Sequence, residues 1–205
     1  MRWTAVVPVK GLPTAKSRLG SRPDEERVAL ALAFARDVVA AVLATPEVDE
    51  VVLVTSDPVV AGALAGPGVV VLEEPPTDGL NAALAHGADL AQARDPGRGV
   101  VAVCADLPAL VATELSEVLD AAALQERAFV VDKEGTGTTV LSARPGQSLE
   151  PAFGLDSARA HEAGGAIALA GSWPSVRQDV DAPPDLAAAV ELGVGRWTAA
   201  ALGLH

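Results

Sequence analysis

The sequence predicts an α/β fold, with a single domain over residues 1–205 built on a mixed, mostly parallel sheet with helices on both faces. Three observations lead there. Short runs dominated by valine (TAVVPV, VVLVTS, GVVAVCA) are apolar on both faces, as strands buried on two sides must be. Longer alanine-rich segments alternate with these runs, the order expected of strand–helix–strand units. The chain has 205 residues, half of them hydrophobic, which is enough for one sizeable core, and no repeat, linker or low-complexity stretch interrupts it.

The elements follow in order. TAVVPV (4–9) reads as a buried strand. Residues 23–44 read as a long helix: Pro23 sits near its start and Asp24, Glu25 and Glu26 fill the first turn, where the helix dipole favours anions. Strand 51–56, a short helix near 58–65, a GPG turn and strand 69–74 come next. A helix over 79–94 leads to strand 99–105, and a helix over 113–125 to the runs 129–132 and 138–143, spaced closely enough for an antiparallel hairpin. The last third predicts a helix near 156–164, a strand at SVRQDVD (175–181) and helices at 184–192 and 196–203. Ligands of open α/β sheets bind outside the carboxyl ends of the strands, so the loops after 9, 56, 74 and 105 are the candidate site.

Composition narrows the function. A formal net charge of -12 and a pI near 4.6 exclude a general nucleic-acid-binding face, which needs a basic surface. An anionic ligand needs a local cationic site instead. Lysine occurs three times, at Lys10, Lys16 and Lys133, and arginine supplies the other 12 of the 15 basic residues. A lone cysteine, Cys104, leaves no internal disulfide framework and fits a reducing compartment. The N-terminal apolar run is too short for a signal segment or a membrane span. The expectation is a cytoplasmic protein with no membrane partner.

The stretch VVPVKGLPTAKSRL (6–19) places Lys10, Gly11, Lys16 and Arg18 just past the first strand. It is not a P-loop: Lys10 and Ala15 stand where that motif needs glycines, and Pro13 removes a backbone N–H. GTGTT (135–139) lacks the third glycine of a dinucleotide fingerprint. Two lysines and an arginine at a strand end nevertheless suit a polyphosphate, the lysines as mobile point charges and the arginine as a planar fork. The competing reading is a solvated loop.

Carboxylates complement this loop. Asp106 in CADLP follows a strand, and Asp179 and Asp181 in DVD lie on one face if that segment is extended. Like charges so close call for a cation, and all-oxygen ligation with few protein ligands suits Mg²⁺ held together with nucleotide phosphate. Asp181, ahead of Pro183 and Pro184, also reads as a helix N-cap, whereas Thr113 is the natural cap of the helix after Asp106. Neither a zinc-ligand spacing nor a G-x-S-x-G elbow occurs, and the three histidines read as ordinary surface or packed residues.

Six motifs in this order, PVKGLPTAKSRL, DGLNAAL (78–84), ADLPAL (105–110), GTGTTVL (135–141), FGLDSARAHEAGGA (153–166) and DVDAPPDL (179–186), resemble the phosphoenolpyruvate or 2-phospho-L-lactate guanylyltransferases of coenzyme F-420 biosynthesis. The resemblance covers nearly the whole chain. It implies a Rossmann-like nucleotidyltransferase fold, with PVKGLPTAKSRL replacing the Gly-rich first loop common in that class. It also implies site residues: Thr139, Gly154 and Ser157 for phosphoenolpyruvate, Asp106, Asp179 and Asp181 for Mg²⁺, Lys10, Gly11, Lys16 and Arg18 on the nucleotide side, and Gly79 and Asn81 near the guanine or ribose. Thr139 is preferred to Thr138. Ser157 and the first N–H groups of the helix near 156 are expected to meet an anion, the alternative being a plain capping serine.

The implied reaction joins GMP from GTP to phosphoenolpyruvate and releases pyrophosphate. The acceptor phosphate is ionised near neutral pH, so no general base is required. Lys10 is expected at the α-phosphate, and Lys16 and Arg18 at the leaving pyrophosphate. The Arg- and Ala-rich, Lys-poor composition suggests a high-GC source, and in that branch the family resemblance favours phosphoenolpyruvate, with 2-phospho-L-lactate as the alternative acceptor. A downstream deazaflavin transferase is the implied recipient of the product. Two rivals stand beside this reading: a nucleotidyltransferase with another phosphorylated acceptor, and a non-catalytic binding protein on the same fold.

Overall fold

The protein is described by a computed structural model over residues 1–11, 23–75 and 79–204. Seven strands form one sheet in the order β3-β2-β1-β4-β6-β5-β7. They are β1 (Trp3–Pro8), β2 (Val48–Val54), β3 (Val69–Leu72), β4 (Gly99–Val103), β5 (Arg127–Val131), β6 (Thr138–Ala143) and β7 (Ile167–Ala168). β6 runs antiparallel to both of its neighbours, β4 and β5, and every other pairing is parallel. The mixed sheet and the antiparallel pair at 129–143 are as the sequence predicts. The chain steps outward from β1 to β2 and β3, then returns to lay β4 on the other side of β1. That reversal is the topological switch point of the sheet.

The helices are α1 (Asp24–Ala44), α2 (Pro58–Leu64), α3 (Leu80–Arg94), α4 (Ala112–Ala122), α5 (Ser157–Ala163), α6 (Pro174–Arg177), α7 (Pro183–Leu192) and α8 (Arg196–Ala201). One face of the sheet packs Val38, Val42, Val60, Leu115 and Leu119 of α1, α2 and α4 against Val7, Val51 and Val101. The other packs Leu84 and Ala88 of α3 and Ala158 of α5 against Val6, Val52 and Leu141. A smaller cluster joins Leu30 and Phe34 of α1 to Val180 and to Leu186 and Ala189 of α7. All five residues of β4 are buried, which is why its sequence is a continuous apolar run. Pro8 costs no ladder bond at its position, because pairing with β4 ends at Val6 and only β2 runs alongside. α3 lies close on the sheet through Gly87, where an added Cβ would stand 2.5 Å from Val6 Cγ1.

Several local expectations are corrected. Residues 175–181 are not a strand: Pro174 opens the one-turn helix α6, and the Arg177 guanidinium then donates to the carbonyls of Val131, Leu169 and Gly171. α4 starts at Ala112 with Val111 as N-cap, so Thr113 is inside the helix and does not cap it. The N-cap of α7 is Ala182 rather than Asp181. The two-residue edge strand β7 carries no periodic signal and escapes the sequence reading.

Candidate active site

The carboxyl edge at the switch point carries the candidate residues on both sides of a crevice. On the β1 side a cleft of about 310 Å³ is lined by Pro8, Lys10, Gly11, Glu74, Gly79, Leu80 and Ala83. Lys10 is exposed there. Gly79 is the N-cap of α3, with φ 121°. The positive end of a 15-residue helix therefore opens on the same cleft as a lysine, an arrangement that attracts phosphate. Glu74 shares the lining, so the cleft is not uniformly cationic. Lys16 and Arg18 lie outside the described residues. Asn81 is not among the lining residues; its side-chain amide donates to Phe153 O at 2.9 Å and accepts from Phe153 N at 2.7 Å.

The acidic group stands beyond β4. Val180 N donates to Asp106 O at 3.0 Å, which draws the loop after β4 against the DVD segment. Asp179 is half-buried, and its carboxyl is pushed up to about 7, first by burial and then by the charges of Asp106, Asp181 and Asp132. Asp181 is exposed. Asp185 shapes this segment: its Oδ2 accepts from Asp181 N at 3.1 Å and Ala182 N at 2.7 Å, and its Oδ1 accepts from Lys133 Nζ at 2.6 Å. Burial alone would raise the Asp185 carboxyl, but Lys133 and the two amides together bring it below the usual carboxylate range. Lys133, the lysine away from the first loop, thus has a structural role.

The acidic donors fit a hard divalent cation in chemistry: they are all oxygen, and their mutual repulsion is relieved only by a proton or a cation. Among the described residues no three His, Cys, Asp or Glu side chains stand together as a ready-made metal cage.

Asp132 is a residue the sequence reading did not single out. It follows β5 as Asp106 follows β4, and that shared strand-end position was the available signal. Its carboxylate oxygens accept from Thr136 N at 2.9 Å and Gly137 N at 2.8 Å, folding the GTGTT turn. The turn then meets α5, with Ala158 N donating to Thr136 O at 3.0 Å.

The acceptor residues implied by the resemblance gather around β6 and α5. Thr139 is buried and its hydroxyl has no hydrogen-bond partner, whereas the Thr138 hydroxyl is engaged with His161 Nδ1 at 2.9 Å. Gly154 has φ 141°, and no atom lies within 4 Å of where a Cβ would sit, so the backbone conformation, and not crowding, demands glycine. Ser157 is buried as the first residue of α5. The amides of Ser157 and Ala158 already donate to Gly154 O and Thr136 O, so the expectation that helix-start amides meet an anion does not hold there; what Ser157 offers a ligand is its side chain.

His161 is a buried link rather than an ordinary packed residue. Its Nε2 accepts from Ala152 N at 2.9 Å, which leaves the proton on Nδ1, facing Thr138 Oγ1. Burial and then the nearby Arg127 charge lower its pKa, in keeping with a neutral ring.

A mostly parallel sheet with a lysine-bearing cleft on one side of its switch point and carboxylates on the other belongs to an α/β nucleotidyltransferase. A solved nucleotidyl transferase from Methanothermobacter thermautotrophicus has this fold, with a TM-score of 0.60 at 19% identity, covering 93% of this chain and 97% of that one. So does a Mycobacterium tuberculosis protein solved in complex with manganese, with a TM-score of 0.55 at 22% identity, covering 93% of this chain and 98% of the other. Residues 3–162 match the guanylyl transferase CofC like family, and the chain belongs to it. It is 52% identical over 203 residues to the phosphoenolpyruvate guanylyltransferase of Streptomyces avermitilis, across 98% of this chain and 94% of that enzyme.

Proposed function

We propose that the protein is a phosphoenolpyruvate guanylyltransferase: it joins GMP from GTP to the phosphate of phosphoenolpyruvate, gives enolpyruvyl-2-diphospho-5'-guanosine and pyrophosphate, and serves coenzyme F-420 biosynthesis. The observation that carries this reading is its full-length likeness to an enzyme named for that activity. A phosphate oxygen of the acceptor forms the new bond to the α-phosphorus of GTP, and the bond from that phosphorus to the bridging oxygen breaks, its electron pair leaving with pyrophosphate. The attacking oxygen carries no proton near neutral pH, in line with a site lacking an obvious base.

The chain's own part is alignment and charge. Lys10, Gly11 and Gly79 receive the nucleotide phosphates, with Lys16 and Arg18 on the leaving pyrophosphate. Thr139, Gly154 and Ser157 hold the acceptor. Asp106, Asp179 and Asp181 hold Mg²⁺, which supplies charge neutralisation between the two anionic substrates. A downstream deazaflavin transferase receives the product. A cytoplasmic location agrees with the single cysteine of the sequence, Cys104, and among the described residues no helix is long and apolar enough to cross a membrane.

The test is a mass-spectrometric assay offering phosphoenolpyruvate and 2-phospho-L-lactate separately with GTP, coupled to the downstream transferase to trap the product. Guanylylated phosphoenolpyruvate is the expected result. Product from 2-phospho-L-lactate alone would reassign the acceptor, and GTP binding without pyrophosphate release would leave a binding protein.

A further inference from the structure

We infer that Asn81 is a positioning residue for the acceptor loop and not a nucleotide contact; this inference rests on the reading that Gly154 and Ser157 receive the acceptor. Asn81 belongs to the first turn of α3, between Leu80 and Ala83, which both line the cleft beside Lys10. Its amide, however, engages the backbone of Phe153, 72 residues away, through both polar atoms: Nδ2 donates to Phe153 O at 2.9 Å, and Oδ1 accepts from Phe153 N at 2.7 Å. The pairing fixes the amide orientation, because a flipped side chain would set oxygen against oxygen and N–H against N–H.

The neighbouring residue is held in the same way from the other side. Ala152 N donates to His161 Nε2 at 2.9 Å, and the His161 ring packs edge-on against Phe153 with centroids 5.0 Å apart. Two successive residues therefore have three backbone hydrogen bonds to side chains from α3 and α5. Directly after them the backbone turns unusual. Gly154 has φ 141°, Asp156 has φ 54°, and upstream Glu150 has φ 48°. Asp156 and Glu150 are the non-glycine residues with positive φ among the described residues, and both flank the clamped pair. A backbone held in such conformations persists only where its surroundings over-determine it. The Asn81 and His161 contacts provide that determination, and Ser157 follows in register.

The consequence is a physical link between the two halves of the site. The helix whose N-terminal end opens on the nucleotide cleft also grips the segment that presents Gly154 and Ser157. Loss of the Asn81 amide should therefore be felt by the acceptor.

The test uses the full chain with Asn81→Ala and Asn81→Asp. The aspartate is nearly isosteric and still accepts from Phe153 N, but it turns an oxygen on the Phe153 carbonyl. Each variant is assayed for KM with phosphoenolpyruvate, and GTP affinity is measured separately by calorimetry without acceptor. The expected result is a rise in phosphoenolpyruvate KM on the order of tenfold to a hundredfold, with GTP affinity within about twofold of wild type, a change too small to signal a lost hydrogen bond. Weakened GTP affinity with an unchanged acceptor KM would overturn the inference. If Asn81→Ala fails to fold, Asn81→Asp decides by the same two measurements. A wild-type enzyme silent with phosphoenolpyruvate would instead sink the proposed function, and the GTP calorimetry, which needs no acceptor, would still decide whether Asn81 touches the nucleotide.

Discussion

Val180 N donates to the carbonyl of Asp106 at 3.0 Å, and this one backbone hydrogen bond joins the loop after β4 to a segment more than seventy residues further along the chain. It sets the carboxylates of Asp106 and Asp179 within reach of each other's charge while leaving both side chains out of the bond. A substitution at the Asp106 or Asp179 side chain leaves this bond in place, while the Asp185 carboxylate, which accepts from Asp181 N and Ala182 N, shapes the rest of the segment.

Asp106→Asn accordingly keeps the fold and loses turnover. The amide has nearly the shape of the carboxylate but lacks its charge, and the bond to Val180 uses the Asp106 backbone. The expected loss in kcat is on the order of 10²-fold or more, as for removal of one electrostatic group from an active site. Circular dichroism and melting temperature should match wild type. Near-normal divalent-dependent pyrophosphate release would exclude Asp106 as a ligand.

Stability should fall with rising pH in metal-free protein. Asp179 sits at about 7 against an ordinary value of 3.8, so between those values the folded state keeps a proton that the unfolded chain has released. Its contribution is therefore fully present below the ordinary value and is lost as pH rises through about 7. His161 acts in the opposite sense: its lowered pKa gives stability that is present above the usual histidine value of 6.5 and lost as pH falls. Comparing wild type with Asp179→Asn by calorimetry cancels the histidine. Wild type should melt lower at about pH 8 than at about pH 6 relative to the variant, and added Mg²⁺ should restore it more at the higher pH. A pH-independent difference would contradict the assignment.

Gly154→Ala tests the backbone of the acceptor loop. Space is open where the Cβ would go, so the cost is conformational, from φ 141°. Strain of this kind is worth about 1–2 kcal/mol, which lowers the melting temperature by about 2–8 °C. Phosphoenolpyruvate KM should rise with GTP affinity unchanged. Ser157→Ala should show the same separation through loss of one charge-assisted hydrogen bond, roughly 10- to 150-fold in acceptor affinity.

Lys16→Ala should weaken catalysis more than acceptor binding, because charge builds on the departing pyrophosphate in the transition state. The expected fall in kcat is on the order of 10²-fold or more. An isolated rise in phosphoenolpyruvate KM would move Lys16 to the acceptor side.

What was legible in the sequence was what burial writes into it. β4 and β2 are valine runs because both faces of the sheet are covered, and the acids in the first turn of α1 announce that helix. Strand-end position alone singled out Asp106 and would equally have found Asp132. The segment 175–181 was misread because Val176 and Val180 are both buried, and a run that short fits helical and extended spacing alike; Pro174 and the carbonyl partners of Arg177 decided it. The resemblance puts Asn81 near the guanine or ribose and His161 reads as an ordinary surface or packed residue, so the hydrogen bonds of neither to the loop at 152–153 are legible in the sequence. Their roles depend on backbone partners brought near only by the tertiary fold, 72 residues away in the first case and across a loop in the second.

The most direct test of the central claim is product mass after incubating the enzyme with GTP, Mg²⁺ and phosphoenolpyruvate, with the downstream transferase present to trap the product. Enolpyruvyl-2-diphospho-5'-guanosine, or its trapped derivative, formed together with pyrophosphate and only when both substrates are present, is the predicted result. Product with 2-phospho-L-lactate but none with phosphoenolpyruvate, or bound GTP with no pyrophosphate from either acceptor, would contradict it.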